Sequence, residues 1–358
     1  MKNFINGRFL TQKTSGVQRF AREIVKALDH HLASVSAADE WTLLAPAQAN
    51  IDLDLSFIKT RHVGTLSGHL WEQTQLFNAA RAGRLVNLCN SGPILHNKSL
   101  TVIHDAMIFR TPENFSRSYR AVHGTLGHIL ARRGKIATVS EFSRRELAQT
   151  IGAVNVSVIP NSCEHMADIV ADESVLSRLG LASNAYLLFV GSPTPNKNIG
   201  RAIEAIGTMG ARAPKFAIVG AAASSVFKGN MQAGGNGMPD DRVVFTGRLT
   251  DEEIAALYKN ATALLFPSLY EGFGIPPLEA MFLGCPVLSS NIEPAREVCG
   301  DAALYFDPNV NAQIVQSIDH LGDAPDLRSG MISKGHDRAA QFSWSKSARL
   351  LLSAISDL

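Results

Sequence analysis

No stretch of this chain approaches the roughly 18 to 20 uninterrupted apolar residues that cross a bilayer, and Met1-Lys2-Asn3-Phe4 opens no long apolar leader. The expected setting is cytoplasmic, with any membrane contact peripheral and on the inner face. Cysteine is sparse: Cys89, Cys163, Cys285 and Cys299 have neither CxxC nor His-paired spacing. That argues against a zinc centre or a disulfide framework and for buried, reduced thiols. A charge excess of one sign is missing as well, with a net +2 over 358 residues, so an electrostatically driven nucleic-acid partner is not expected. No G-x-G-x-x-G follows an early strand, which disfavours a nicotinamide dehydrogenase.

What is present suits two globular domains of ordinary size. Short apolar, β-branched runs alternate with longer stretches of helical period, the pattern of parallel sheets covered by helices. In the first half these runs are Trp41–Pro46, Val86–Asn90, Thr101–Asp105, Lys135–Ser140 and Asn155–Asn161. In the second half they are Ala185–Gly191, Lys215–Gly220, Val243–Gly247, Ala263–Ser268, Pro286–Ser290 and Ala303–Asp307. The predicted division is a domain over 1–165 and a domain over 166–341, with a C-terminal helix, about 342–358, that can pack back on the first. Gly234-Gly235-Asn236-Gly237 reads as a mobile surface loop. From Arg117 to Arg145 the chain carries Arg117, Arg120, Arg132, Arg133, Lys135, Arg144 and Arg145 against one acid, Glu141. Such a face could meet anionic headgroups or a pyrophosphate-bearing acceptor, or it is a solvated helix face.

Open α/β sheets bind ligands at the carboxyl ends of their strands. The segment Phe266-Pro267-Ser268-Leu269-Tyr270-Glu271-Gly272-Phe273-Gly274-Ile275-Pro276-Pro277-Leu278-Glu279-Ala280 reads as a strand end, a glycine-spaced loop and a helix start with proline in its first turn. Backbone amides after Gly272 and Gly274, together with the helix dipole, suit an anion such as a diphosphate. Glu271 and Glu279 flank them as acceptors for sugar and ribose hydroxyls, Glu279 being placed in the first helical turn.

This assembly, followed by Glu-Ala-Met-x-x-Gly-Cys-Pro-Val, closely resembles the E-x7-E signature of retaining glycosyltransferases of family four. The resemblance implies an α/β chain of two Rossmann-like doubly wound domains facing across a cleft, the GT-B fold. It extends to Phe189-Val190-Gly191-Ser192 with Asn196-Lys197-Asn198, where Lys197 would meet the donor diphosphate, and to Phe245-Thr246-Gly247-Arg248-Leu249, which resembles the base-reading loop. Ser15-Gly16-Val17-Gln18-Arg19 is similar to the glycine-rich loop near transferred sugar and acceptor, and Ile103-His104-Asp105 to a strand-end histidine of the reaction cleft. Trp71-Glu72-Gln73 and Phe342-Ser343-Trp344 resemble the branch rich in bacterial polysaccharide and O-antigen mannosyltransferases. Two departures stand out. Ser192 and Asn196 occupy the positions where an arginine often helps neutralise the donor, and Ser162 replaces the usual glycine after Pro160-Asn161.

The resemblance implies catalytic roles for His104, Glu271 and Lys197, His104 lying near the transferred sugar without being an obligatory base. Donor contacts are expected from Gly16, Gly191, Ser192, Lys197, Arg248, Leu249, Glu271, Gly272, Phe273, Gly274, Ile275 and Glu279. Acceptor contacts are expected from Val17, Arg19, Asp105, Arg117 and Arg120. Cations and a helix end would neutralise the leaving group, so no metal or other cofactor is expected beyond the nucleotide-sugar co-substrate. The expected reaction moves a hexose, mannose from GDP-mannose first, to a glycan or polyprenyl-diphosphate-linked acceptor. The alternatives are a UDP-sugar donor, an epimerase or hydrolase on the same architecture, and a catalytically silent sugar-nucleotide-binding partner.

Overall fold

The computed structural model describes residues 1–220 and 242–358; Gly234-Gly235-Asn236-Gly237 lies outside the described residues. Two compact units result: Met1–Asn161 with Ser343–Leu358, and Ser162–Phe342.

In the first unit seven parallel strands run in the order β3-β2-β1-β4-β5-β6-β7. They are β1 (Lys2–Asn6), β2 (Glu40–Ala45), β3 (Lys59–His62), β4 (Arg84–Asn87), β5 (Ser99–Val102), β6 (Lys135–Thr138) and β7 (Ser157–Val158). Sequence periodicity missed β1 and β3. Lys2-Asn3-Phe4-Ile5-Asn6 has only two apolar residues, yet β1 lies at the sheet's centre, parallel to both β2 and β4. Its asparagine amides donate to distant side chains, Asn3 to Asp39 and Asn6 to Glu72 and Asn87, and leave no local apolar pattern. Tightening also occurs elsewhere: the run expected over 155–161 pairs only at Ser157–Val158. The Trp344–Ser356 helix belongs to this unit, with Trp344 edge-on to Phe20 at 5.9 Å and Ser347 Oγ donating to Pro160 O at 2.6 Å.

The second unit has six parallel strands in the order β10-β9-β8-β11-β12-β13. These are β8 (Tyr186–Val190), β9 (Lys215–Val219), β10 (Val243–Gly247), β11 (Ala263–Phe266), β12 (Val287–Ser290) and β13 (Ala303–Phe306). Phe189, Phe216, Leu265, Leu288 and Phe306 are buried under flanking helices and form its core; an aromatic removed from such a site costs about 3–5 kcal/mol. The carboxyl ends of β8, β9 and β10 are stitched by Gly191 N–H donating to Val219 O and Gly220 N–H donating to Gly247 O, both at 3.0 Å. Only glycine fits at 220, since a Cβ would lie 2.2 Å from the Gly191 carbonyl oxygen.

The two strand orders each reverse direction once, between β1 and β4 and between β8 and β11. Those switch points are where open α/β sheets leave a crevice for ligands.

Candidate functional site

At the β8/β11 switch point two loops meet. The first, after β8, leads through a short turn, Pro195–Lys197, and the second, after β11, carries Tyr270-Glu271. Asn196 joins them: it is buried, its Nδ2 donates to Tyr270 O at 3.1 Å, and its backbone carbonyl accepts from Leu269 N–H at 2.7 Å. One of the two residues standing where an arginine was looked for is thus an internal brace, not a surface contact; Ser192 follows the β8 end. Lys197 Nζ then reaches Glu271 Oε1 at 2.5 Å, with side chains 17% and 11% exposed, and sits 5.7 Å from the Phe266 ring centroid. The sequence places these two residues 74 positions apart; the switch point brings their charges together.

Beyond Glu271 the chain passes Gly272 and Phe273, the latter edge-on to Phe342 at 5.7 Å. It then turns through Gly274 (φ +124°) into the Ile275–Phe282 helix. Pro276 and Pro277 have no N–H, so this helix presents fewer orphan donors than an ordinary one. Among the described residues none accepts from the amides of Gly274 and Ile275. These two amides and the Lys197 ammonium are donors of the kind that suit an anion.

Glu279 is not in the first helical turn, as the sequence reading had it. With the helix starting at Ile275 it falls in the second turn, so dipole compensation does not explain it. Its Oε1 accepts from His165 Nε2 at 2.9 Å and its Oε2 from the Tyr258 hydroxyl at 3.0 Å. Burial, then the Glu279 charge, push the Tyr258 phenol well above its ordinary value and keep it a donor. Neither His165 nor Tyr258 was anticipated; nothing in the local pattern ties either to Glu279. Arg248 is exposed and Leu249 half-buried on the loop after β10, ahead of a helix whose Thr250–Glu253 capping box fixes its start.

Gly16 and the other expected N-terminal residues lie in the first unit. Ser15-Gly16-Val17-Gln18-Arg19 is not a free loop: Gly16 begins the Gly16–Ser34 helix, and the Val17 carbonyl accepts from Cys89 Sγ at 3.7 Å. His104 lies just past β5. Its Nε2 donates to Leu88 O at 2.9 Å and its backbone N–H to Asn90 Oδ1 at 2.7 Å, Asn90 adopting a left-handed conformation to do so. Burial lowers its pKa to about 4, so the ring is neutral, with Nδ1 the unprotonated nitrogen in this tautomer. Asp105 Oδ1 accepts from Met107 N–H at 2.8 Å.

The basic 117–145 segment is not one face. It doubles back through the Arg117–Arg133 helix, β6 and the Glu141–Ile151 helix, and Lys135 and Arg144 are spent on Asp357 and Glu141. Arg117 and Arg120 line a cavity of about 530 Å³ with Ile108, Phe109, Pro112 and Ala121; Arg132 and Arg133 stand at the far end of their helix. An Asp-x-Asp run does occur, Asp52-Leu53-Asp54, but Asp52 is paired with Arg22 at 2.7 Å.

Residues 178–338 match the family model described as Glycosyl transferases group 1. The chain is 30% identical over 263 residues to O-antigen chain mannosyltransferase B of Escherichia coli, covering 69% of this chain and 67% of that protein. It is 29% identical over 241 residues to O-antigen chain mannosyltransferase RfbU of Salmonella typhimurium, covering 66% and 64%. The matches therefore span about two thirds of the length of these relatives. Anabaena HepE, solved in complex with UDP and glucose, shares the fold with a TM-score of 0.73 at 17% identity, over 100% of both chains.

Proposed function

The chain belongs to the glycosyl transferases group 1 family and is a glycosyltransferase, and from that premise we propose that it moves mannose from GDP-mannose to a glycan or lipid-linked glycan, with retention and without a metal. The observation that carries the donor reading is the Lys197–Glu271 contact beside the unaccepted amides of Gly274 and Ile275. Mannose is supported by the O-antigen mannosyltransferase relatives.

The reaction breaks the bond from the anomeric carbon to the donor diphosphate. The Lys197 ammonium has three donors, so it can keep Glu271 and still bind a phosphate oxygen. Its charge and the two amides stabilise the developing negative charge on the leaving group. Glu271, fixed by Lys197, accepts from hydroxyls of the transferred sugar, and Glu279, fixed by His165 and Tyr258, accepts from the ribose. In retaining front-face attack the acceptor hydroxyl adds to the anomeric carbon and gives its proton to the departing phosphate oxygen. Neutral His104 holds no catalytic proton. A UDP-sugar is the second reading, favoured by the nucleotide bound to HepE.

Calorimetric titration with GDP, UDP, dTDP and ADP in the presence of a chelator tests this. One nucleotide, GDP first, should bind, and Glu279→Ala should weaken it roughly 10- to 100-fold, the scale of one to two lost hydrogen bonds to a charged acceptor. Tight binding of UDP alone replaces the donor. Absence of binding by any nucleotide overturns the donor-site reading, and binding that appears only on adding a divalent ion removes the metal-free mechanism.

A further inference from the structure

The β1/β4 switch point of the first unit holds a second polar constellation. Glu72, fully buried, opens a π-helical turn, Glu72–Leu76, set inside the helical segment 68–80. π-Turns inside helices are frequent at functional sites because they re-aim side chains. Oε1 of Glu72 accepts from Asn6 Nδ2 at 2.8 Å and lies 3.0 Å from Arg8 Nε in an ion pair; Oε2 accepts from Ser91 Oγ at 2.6 Å and His69 Nδ1 at 2.9 Å. Burial by itself would raise this carboxyl, but the His69, Arg8, Ser91 and Asn6 contacts outweigh it and hold Glu72 below the usual range. The carboxylate is ionised, and its acceptor positions are filled.

Arg8 is thereby fixed by one edge. Its side chain is only 12% exposed, its Nε faces the Glu72 carboxylate, and among the described residues none accepts from the two terminal amino groups. The terminal amino groups remain within reach of solvent, so an incoming ligand can supply acceptors to a guanidinium already oriented by Glu72. The wall beside it is aromatic. His69 and His123 are edge-on at 5.2 Å, His123 stacks on Tyr119 at 4.0 Å, and Tyr119 on Phe115 at 5.5 Å. Tyr119 is 46% exposed, so the wall opens to solvent, and the Arg8 charge bears on both Tyr119 and His123. A pre-oriented guanidinium with a free two-pronged face matches a phosphate or carboxylate better than a lone hydroxyl.

We propose that Arg8 binds an oxyanion carried by the acceptor, in a bidentate contact through its two terminal amino groups while the Glu72 ion pair holds the guanidinium in place. This rests on the reading of the chain as a transferase with a separate acceptor. The anion is the phosphate of a lipid-linked acceptor or the carboxylate of an acidic sugar.

The test uses the full chain labelled with [15N]arginine, the Arg8 Nε–H signal being identified by its loss in Arg8→Lys. It is titrated with methyl phosphate, D-glucuronate and methyl α-D-mannoside, with and without the nucleotide that binds. The Arg8 signal should shift saturably with an anion, methyl phosphate pointing to a phosphorylated acceptor and glucuronate to an acidic sugar. Arg8→Lys, which keeps a cation for Glu72 but loses the fork, should bind that anion about tenfold more weakly with unchanged nucleotide affinity. Arg8→Ala strands the buried Glu72 and can fail to fold, so the lysine variant carries the comparison. A shift with the neutral mannoside alone, or none with either anion at millimolar concentration, overturns the proposal. Because the Arg8 signal is read with or without nucleotide, failure of every nucleotide to bind sinks the transferase reading separately.

Discussion

Burial holds the His104 imidazole at about 4, and this has a definite consequence for stability. In the unfolded chain the same ring takes up a proton as pH falls through roughly 6.5, whereas the folded chain resists it until about 4. The stabilisation from a neutral His104 is therefore complete above the unfolded value and is lost as pH falls through that window, by about 3 kcal/mol in all. Urea unfolding of wild type and His104→Gln between neutral pH and pH 4.5 should give a shallower acid slope for the variant. Equal slopes would mean that the ring is not held neutral. His96, also lowered by burial, is common to both proteins and cancels in the comparison.

At the scale of elements, the turn from Glu271 into the Ile275–Phe282 helix depends on Gly274. A Cβ there would have room, its nearest neighbour being 3.8 Å away, but φ of +124° and ψ of 63° are a conformation that L side chains rarely adopt. Gly274→Ala should therefore cost roughly 1–3 kcal/mol through the backbone alone, and it should weaken nucleotide binding by turning the Gly274 and Ile275 amides. Thermal unfolding and the nucleotide titration read the two effects; wild-type affinity in a destabilised variant would remove those amides from the anion site. The glycine spacing made this turn legible in the sequence, because Gly-x-Gly before Pro-Pro has few local solutions. Which Glu279 neighbours matter was not legible: His165 lies 114 residues away and joins it only through folding of the second unit.

For the whole molecule, chain order and unit membership diverge at the C terminus. Trp344 is 5% exposed against the first unit, although 181 residues of the second unit, Ser162–Phe342, precede it. Trp344→Ala should destabilise the first unit by about 3–5 kcal/mol and leave nucleotide affinity intact, since every residue assigned to the nucleotide there is in the second unit. Denaturation followed with and without nucleotide checks this, and a loss of affinity parallel to the loss of stability would contradict it.

The local pattern by itself determined the α/β class, most strands and the glycine loop with Glu271, because alternation of short apolar runs with helical period and the steric demands of glycine and proline act over a few residues. Only the tertiary structure decided that β1 is central, that Asn196 is a brace, that Glu279 is clamped by His165 and Tyr258, and that Glu72 gathers Asn6, Arg8, His69 and Ser91. Those contacts span up to 114 residues between partners. Buried polar groups must find acceptors and donors wherever the folded chain supplies them, and no local periodicity encodes that choice.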